Sequence, residues 1–142
     1  MNALLASVIA VAFLVAPRAQ DDAKNFEGTW TMVKGEQDGK PLDPETIKTA
    51  KLIVRGNHHT VIVGNDKMVG THHLDPTTKP KSIDVKDTEG PYKGTTLLGI
   101  YQLNGDEFTV CFPASGKERP KKFTAKAGTG NLMHTWKRQS AQ

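Results

Sequence analysis

Residues 95–112, TTLLGIYQLNGDEFTVCF, form two runs of β-favouring residues around the turn sequence NGD at 104–106. Asn-Gly between two such runs is the strongest short-range signal for a hairpin turn. In the second run Phe108, Val110 and Phe112 alternate with Thr and Cys, which places the aromatic and aliphatic side chains on one face. The stretch therefore predicts a β-hairpin with one buried face.

Six further short runs of similar composition occur along the chain, separated by turns rich in Gly, Pro, Asn and Asp. The 13 Gly and 8 Pro are spread so evenly that long helices are excluded. At most one short helical turn is expected, near residues 43–50, where Asp43 suits the N-cap and Pro44 the first helical position. The six runs are residues 28–33, 51–55, 59–63, 68–74, 82–85 and 131–137.

Eight short runs joined mostly by tight turns predict an antiparallel sheet. A sheet of this size either stacks as a sandwich or closes into a barrel. Because Greek-key crossings need longer connections, we expect an all-β fold, an eight-stranded antiparallel up-and-down barrel formed by residues 20–142 as one domain. Its interior is either filled by its own side chains or holds one small ligand.

The first 19 residues, MNALLASVIAVAFLVAPRA, differ in composition from the rest of the chain. Residues 3–16 are apolar apart from Ser7, a length that suits a signal-peptide core and is short for a bilayer span. Ala19 offers a small residue for cleavage. We therefore expect residues 1–19 to be a signal peptide and the barrel to be exported, to the periplasm, cell envelope or outside the cell. An uncleaved anchor is the alternative.

The single cysteine, Cys111, excludes an intramolecular disulfide, so the exported barrel must be stabilised by its apolar core. In a predicted strand, Cys111 is expected to be a small buried apolar residue. A catalytic thiol would need a neighbouring His and a lowered pKa, which the sequence does not indicate.

Gly28-Thr29-Trp30 at the start of the first run resembles the Gly-x-Trp signature of lipocalins and related calycins. Lys137 and Arg138 near the end of the chain stand where that superfamily has a basic residue packed over the Trp. The resemblance implies that Gly28 and Trp30 close one end of the barrel, with Lys137 or Arg138 over the indole. Such a cation–π contact contributes about 0.5–2 kcal/mol.

A longer resemblance extends over nearly all of the chain after the leader. The segments GTWTMV, LDPTTKPKSIDV, GPYKGTTLLGIYQLNGDEFTVCF and GKERPKKF resemble a family of small exported lipocalin-like bacterial domains that is abundant in planctomycetes. No biochemical activity is established for that family. The resemblance therefore implies a fold and a compartment, and it implies no catalytic residue.

Residues 56–75, GNHHTVIVGNDKMVGTHHLD, hold four of the five histidines as two adjacent pairs. A hairpin turn centred near Asn65 would place His58 opposite His72, and a register shifted by one would place His59 opposite His72 and His58 opposite His73. One such pair could bind Zn²⁺, Cu²⁺ or Ni²⁺ weakly, and His58 with His72 is the candidate pair.

Adjacent strand residues point to opposite faces, so the four rings cannot converge on one ion. We favour a hairpin with incidental metal affinity, and we predict no resident cofactor.

The formal charge of +4 and the 6% content of aromatic residues do not indicate a nucleic-acid-binding surface. No pairing of a nucleophile with a base and no suggestive pair of carboxylates is evident, so an enzyme is not predicted. The leading hypothesis is a binding module for a small apolar or amphipathic molecule, with Tyr101, Trp136 and Arg119 as candidate contacts. Arg119 could instead pair with a nearby carboxylate.

The alternative hypothesis is a filled barrel that serves as a structural or protein-interaction domain of the cell envelope. The volume of the interior discriminates between the two, because an interior filled by its own aromatic side chains leaves no ligand site. The protein partner of such a domain is not indicated by the sequence.

Overall fold

The computed structural model describes residues 10–14 and 19–140. Strands make up most of the barrel, and the two helices are short. The elements in chain order are α1 Ala19–Phe26, β1 Gly28–Gln37, β2 Lys40–Pro41, α2 Pro44–Thr49, β3 Lys51–Arg55, β4 His58–Val63, β5 Asp66–Asp75, β6 Lys81–Glu89, β7 Thr96–Asn104, β8 Glu107–Phe112 and β9 Leu132–Arg138.

Every strand pairs antiparallel with its neighbour in the order β1-β3-β4-β5-β6-β7-β8-β9, and β9 pairs back onto β1. The eight strands therefore form a closed up-and-down barrel, which confirms the fold predicted from the sequence. The two-residue strand β2 pairs only with the end of β1 and is an addition outside the ring.

The hairpin predicted at residues 95–112 is formed by β7 and β8. Asn104 pairs with Glu107 across a two-residue turn, and Gly105 in that turn has φ 58°, a conformation that glycine adopts readily. Phe108 and Val110 are buried, as their alternation predicted.

Gly99 lies within β7, and a glycine inside a strand permits a bulge or a sharp bend. No bulge occurs at Gly99 against β6, because the β6–β7 register runs through it without a shift. Bulges occur instead between Met32 and Lys34 and between Val69 and Gly70. The absent side chain of Gly99 leaves room for a ring, since a Cβ there would lie 2.6 Å from Phe112 Cδ1.

Helix α2 begins as predicted, with the Asp43 side chain accepting a hydrogen bond from the Thr46 amide at 3.1 Å. Helix α1 was not foreseen, because its sequence AQDDAKNF shows no periodic apolar face. Two of its side chains, Asp22 and Phe26, are nevertheless buried against the barrel. Tertiary packing of these two residues provides the stability that helix propensity does not supply.

Helix α1 closes one end of the barrel, where β1 starts and β9 finishes. Phe26 packs at 4.4 Å between ring centroids from Phe108 and at 6.1 Å from Trp30. The Trp30 indole donates a hydrogen bond from Nε1 to the carbonyl of Phe26 at 3.0 Å. We call this the sealed end.

The opposite end carries the β1–β3 connection with α2, the β4–β5 turn, the β6–β7 loop and the long β8–β9 connection, because consecutive antiparallel strands alternate in direction. We call it the mouth. Its side chains include half-buried apolar residues that border the interior, namely Val61, Met68, Tyr92, Phe112 and Leu132.

The predicted signal peptide falls largely on residues 1–9 and 15–18, which lie outside the described residues. Within the described segment 10–14, no helix or strand forms and the side chains of Phe13 and Leu14 are exposed. Among the helices described, none has the length and apolar character needed to cross a bilayer.

Candidate binding cavity

Trp30 is fully buried at the sealed end, and Arg138 from β9 lies over its ring with Cζ 4.2 Å from the ring centroid. Of the two basic residues considered from the sequence, Arg138 holds this position, whereas Lys137 is exposed. Gly28 makes room for the contact, because a Cβ there would lie 2.9 Å from Arg138 Nη1.

The Arg138 guanidinium also joins three chain segments. It donates to Asp106 Oδ1 at 3.0 Å and to the carbonyls of Glu27 and Asn25. Stacking on Trp30 therefore coincides with the hydrogen bonds that fix the start of β1 to the end of β9.

Tyr101 belongs to the sealed end and does not line the interior cavity. Its hydroxyl donates to Asp22 Oδ2 at 2.7 Å, and the same oxygen accepts from Lys81 Nζ at 2.9 Å. Burial, followed by the Asp22 carboxylate, raises the pKa of Tyr101. Because this hydroxyl is already satisfied by α1, the structure does not offer Tyr101 to a ligand in the cavity.

Arg119 lies on the outside of the barrel wall in the β8–β9 connection. It donates to Asp84 Oδ1 at 2.6 Å and to the carbonyls of Ile83 at 3.1 Å and Gly99 at 2.6 Å. Of the two interpretations of Arg119, the pairing with a carboxylate is the one observed. Its donors anchor the long connection to β6 and β7, and they do not face the mouth.

Beyond the sealed end the barrel encloses a cavity of about 90 Å³. Trp136, the third candidate contact, is buried and lines it together with Phe108 and Val110. Most of the other side chains in the wall are apolar and come from β3, β4, β5, β6, β7 and β9: Leu52, Val61, Met68, Ile83, Val85, Leu97 and Leu132. The polar side chains that line the cavity include three histidines and Asp87.

The predicted pairing of His58 with His72 is wrong. His58 pairs with Thr71 and His59 with Gly70, since a two-residue turn joins Val63 to Asp66. This register differs by one from the register assumed, and a shift of one residue moves a side chain to the other face of the sheet. His58 is therefore exposed, whereas His72 is buried inside the barrel, and the two do not form a metal-binding pair.

His59 and His72 are the two histidines that meet. Their Nδ1 atoms are 3.2 Å apart, and both rings are buried. On its other side, His59 Nε2 lies 2.8 Å from Asp87 Oδ1. These contacts form a row of hydrogen bonds on the inner wall, from Asp87 on β6 to His59 on β4 and on to His72 on β5.

Gly70 allows this row to form. It stands on β5 between His59 on β4 and Asp87 on β6, and it pairs with both in the sheet. Because Gly70 has no side chain, the imidazole and the carboxylate can meet over its backbone. A Cβ at Gly70 would lie 2.2 Å from the Lys86 carbonyl oxygen and 2.9 Å from Asp87 Oδ1.

Two buried imidazole nitrogens, His72 Nε2 and His134 Nε2, have no hydrogen-bond partner in the described part of the chain. Burial, and secondly the neighbouring His59, lowers the pKa of His72 to about 4. Burial alone lowers the pKa of His134 to about 4. Both rings are therefore neutral at pH 7, and each leaves one unsatisfied polar atom in an apolar surrounding.

Sequence reasoning considered His59 only through the alternative register, and it did not assign His134 or Asp87 to the site. The signal that could have found the last two is the alternation of side chains along a strand. Asp87 continues the inward series of Ile83 and Val85, and His134 stands between the inward residues Leu132 and Trp136. His59 depended on the register of β4 with β5, which the turn determines.

Cys111 is fully buried, as expected, and its Sγ lies 3.5 Å from the Thr124 carbonyl oxygen. Burial raises the pKa of its thiol. Over residues 10–14 and 19–140, no group of three or more His, Cys, Asp or Glu side chains is arranged to hold a metal ion.

Comparison of the chain with known protein families, with curated proteins and with solved structures finds no match. The cavity and its polar atoms are therefore the basis for a functional proposal. The barrel contains an apolar cavity at which two imidazole nitrogens, His72 Nε2 and His134 Nε2, are unsatisfied within the described residues. The contact with His59 holds the His72 ring in place.

Proposed function

We propose that this protein is a binding module whose barrel interior holds a small, mainly apolar molecule with one polar group. The observation that carries the proposal is the pair of buried, unpartnered Nε2 atoms of His72 and His134 at an apolar cavity. A buried polar atom without a hydrogen bond costs free energy. A ligand whose polar group reaches one of these atoms removes that cost, and its apolar part fills the cavity.

The size of the cavity limits the ligand. A volume of about 90 Å³ corresponds to roughly three water molecules at about 30 Å³ each, well below the 300 Å³ or more of sites for drug-sized molecules. The enclosed part of the ligand is therefore the size of a short alkyl chain, and an aromatic ring, which fills a cavity of about 150 Å³, must extend toward the mouth. A longer amphipathic ligand would extend past Met68 and Tyr92 at the mouth, where the flexible thioether of Met68 can adapt to different shapes.

Export is part of the same proposal. The side chains of Phe13 and Leu14 are 88% and 97% exposed, so these two residues do not pack against the barrel core. An exposed apolar segment is consistent with a signal peptide that is removed. Membership of the lipocalin-like family of exported domains is supported by the stacking of Arg138 on Trp30 at the sealed end.

A filled barrel with a structural or interaction role is the second candidate. The small volume of the cavity favours it, together with the aromatic packing of Phe26, Trp30 and Phe108 at the sealed end. In that case the interior side chains only stabilise the fold, and the outer surface and the loops contact the protein partner.

Native mass spectrometry of the protein purified from its own host separates the two candidates. A mass that exceeds the chain by one small molecule supports the binding module. A bare mass, combined with no response to a small aromatic probe such as fluorobenzene in an NMR titration, would reject the binding module in favour of the filled barrel.

Two variants on one strand sharpen this test. Leu132→Trp adds bulk to a cavity-lining side chain at the mouth, whereas Met133→Trp adds the same bulk to the neighbouring residue, which points to the outer face. Loss of fluorobenzene binding in Leu132→Trp and its retention in Met133→Trp are expected. Equal binding in both variants would place the probe outside the barrel.

A further inference from the structure

We propose that Asp87, His59 and His72 form a hydrogen-bonded chain that presents an unprotonated Nε2 of His72 to the cavity, so that the ligand carries a hydrogen-bond donor. The chemical class is an alcohol, a phenol or a primary amide, in contrast to an ether, a ketone or a hydrocarbon. This inference rests on the proposed function and names the ligand class of the same cavity.

The first step is the contact between Asp87 and His59. A carboxylate can only accept hydrogen bonds, and Oδ1 of Asp87 lies 2.8 Å from Nε2 of His59. His59 Nε2 must therefore carry the proton and donate it. This contact selects the Nε2–H form of the His59 ring.

The second step is the contact between the two rings. A neutral imidazole has one N–H and one lone pair, so Nδ1 of His59 is an acceptor once Nε2 carries the proton. His72 Nδ1 lies 3.2 Å from it and must donate. The lone pair of His72 is consequently on Nε2, the atom that has no hydrogen-bond partner among residues 10–14 and 19–140.

The surroundings hold this arrangement in place. His59, His72 and Asp87 are 6%, 7% and 4% exposed, so water does not compete for their hydrogen bonds. Burial, with the nearby His59 ring, lowers the pKa of His72 to about 4 and keeps that ring unprotonated at neutral pH. The edge-on contact with Phe26, at 5.1 Å between ring centroids, restrains the orientation of the His72 ring.

A second proton on His59 would reverse the chain. Nδ1 of His59 would then donate to Nδ1 of His72, and Nε2 of His72 would carry the hydrogen. The cavity would present a donor and would select an acceptor such as a ketone. The two arrangements thus make opposite predictions about the ligand, and experiment can distinguish them.

The direct test uses the wild-type protein without a ligand. Long-range ¹H–¹⁵N spectra of uniformly ¹⁵N-labelled protein at pH 7.5 assign the protonated nitrogen of each histidine ring. We expect Nε2–H for His59 and Nδ1–H for His72. An Nε2–H form of His72, or a doubly protonated His59, would overturn the inference whatever the ligand.

A binding test uses three probes of similar shape: phenol, which donates; benzaldehyde, which only accepts; and fluorobenzene, which lacks a strong hydrogen-bonding group. In NMR titrations, phenol is expected to bind about five- to tenfold more tightly than fluorobenzene, as one net hydrogen bond provides. In His72→Phe, phenol and fluorobenzene should bind with about equal affinity. It should persist in His73→Phe, the exposed neighbour on the outer face of β5.

The outcomes separate the two levels of the proposal. Binding of all three probes with equal affinity, or tighter binding of benzaldehyde, contradicts the donor-selective site and leaves the binding module intact. A preference for phenol that disappears in His134→Phe and persists in His72→Phe assigns the polar contact to the wrong histidine and also contradicts the inference. Absence of binding by every probe rejects the binding module itself.

Discussion

The guanidinium carbon of Arg138 stands 4.2 Å above the indole of Trp30, on strands that are first and last in the barrel and are paired in register at these two residues. The contact covers the seam where β9 closes onto β1. Because the two residues are far apart in sequence, the contact closes a long loop of the chain, and such contacts form at a high cost in chain entropy.

Replacement of Arg138 by Ala is expected to lower the free energy of unfolding by about 1–3 kcal/mol, since it removes the stacking and the hydrogen bonds to Asp106, Glu27 and Asn25. Urea denaturation at pH 7 measures the change. Lys137→Ala, on the exposed neighbour, should change stability by less than about 0.5 kcal/mol. A similar loss in both variants would show that the position of the charge is unimportant.

Trp30→Ala should cost about 3–5 kcal/mol, because the indole is fully buried and its removal leaves a cavity at the sealed end. Chemical denaturation followed by circular dichroism avoids dependence on the fluorescence of the deleted ring. A loss below about 1 kcal/mol would contradict the packing of the sealed end.

Gly70→Ala is expected to destabilise the barrel by roughly 1–3 kcal/mol, since the added methyl group meets the backbone of Lys86 and the Asp87 carboxylate. It should also separate His59 from Asp87 and change the ring nitrogen shifts of His59. Gly56→Ala is the matched control, because a Cβ there meets no atom within 4 Å and only the cost of its backbone conformation remains. Unchanged His59 shifts in a folded Gly70→Ala protein would count against the row of hydrogen bonds.

Acidification should destabilise the protein between pH 6.5 and 4, because burial lowers the pKa of His134 from 6.5 to about 4. The unfolded chain binds a proton in this range that the folded chain does not, so the stabilising contribution is present above pH 6.5 and is lost as the pH falls. A buried histidine whose pKa is lowered by this amount contributes about 3 kcal/mol to the free energy of unfolding above pH 6.5.

The comparison of His134→Phe with His73→Phe checks this origin. The His134 variant should lose less stability than wild type between pH 6.5 and pH 4, measured by urea denaturation at several pH values. The variant of exposed His73 should follow wild type. Identical pH profiles for all three proteins would assign the acid sensitivity to other groups.

Amino-terminal sequencing of secreted protein is expected to begin at Gln20. Removal of residues 1–19 leaves Asp22 and Phe26 in place, so α1 keeps its hydrogen bonds to Tyr101 and Lys81 at the sealed end. Secreted protein that begins at Met1 would contradict cleavage of the leader.

The fold could be predicted from the sequence because strand alternation and turn residues are local signals. The NGD turn at 104–106 defined one hairpin, and the remaining strands followed from the same periodicity. Helix α1 could not be predicted in this way, because the buried side chains that stabilise it, Asp22 and Phe26, pack against residues distant in sequence.

The candidate site was harder to predict than the fold because it depends on register. A turn of two residues in place of three, between Val63 and Asp66, exchanges His58 for His59 on the inner face. The contact of His59 with Asp87 further depends on a glycine on the intervening strand and on a bulge next to it. Neither follows from composition or from spacing along one segment.

Both ends of the barrel domain lie at the sealed end. Helix α1 leads into β1 there, and β9 ends beside the start of β1. A tether, an anchor or a fused domain at either terminus therefore attaches opposite the mouth. A barrel held to a surface by such a tether presents its mouth away from that surface. Immobilisation through either terminus on a sensor therefore leaves the mouth facing the solution, and a label attached at either terminus lies at the sealed end.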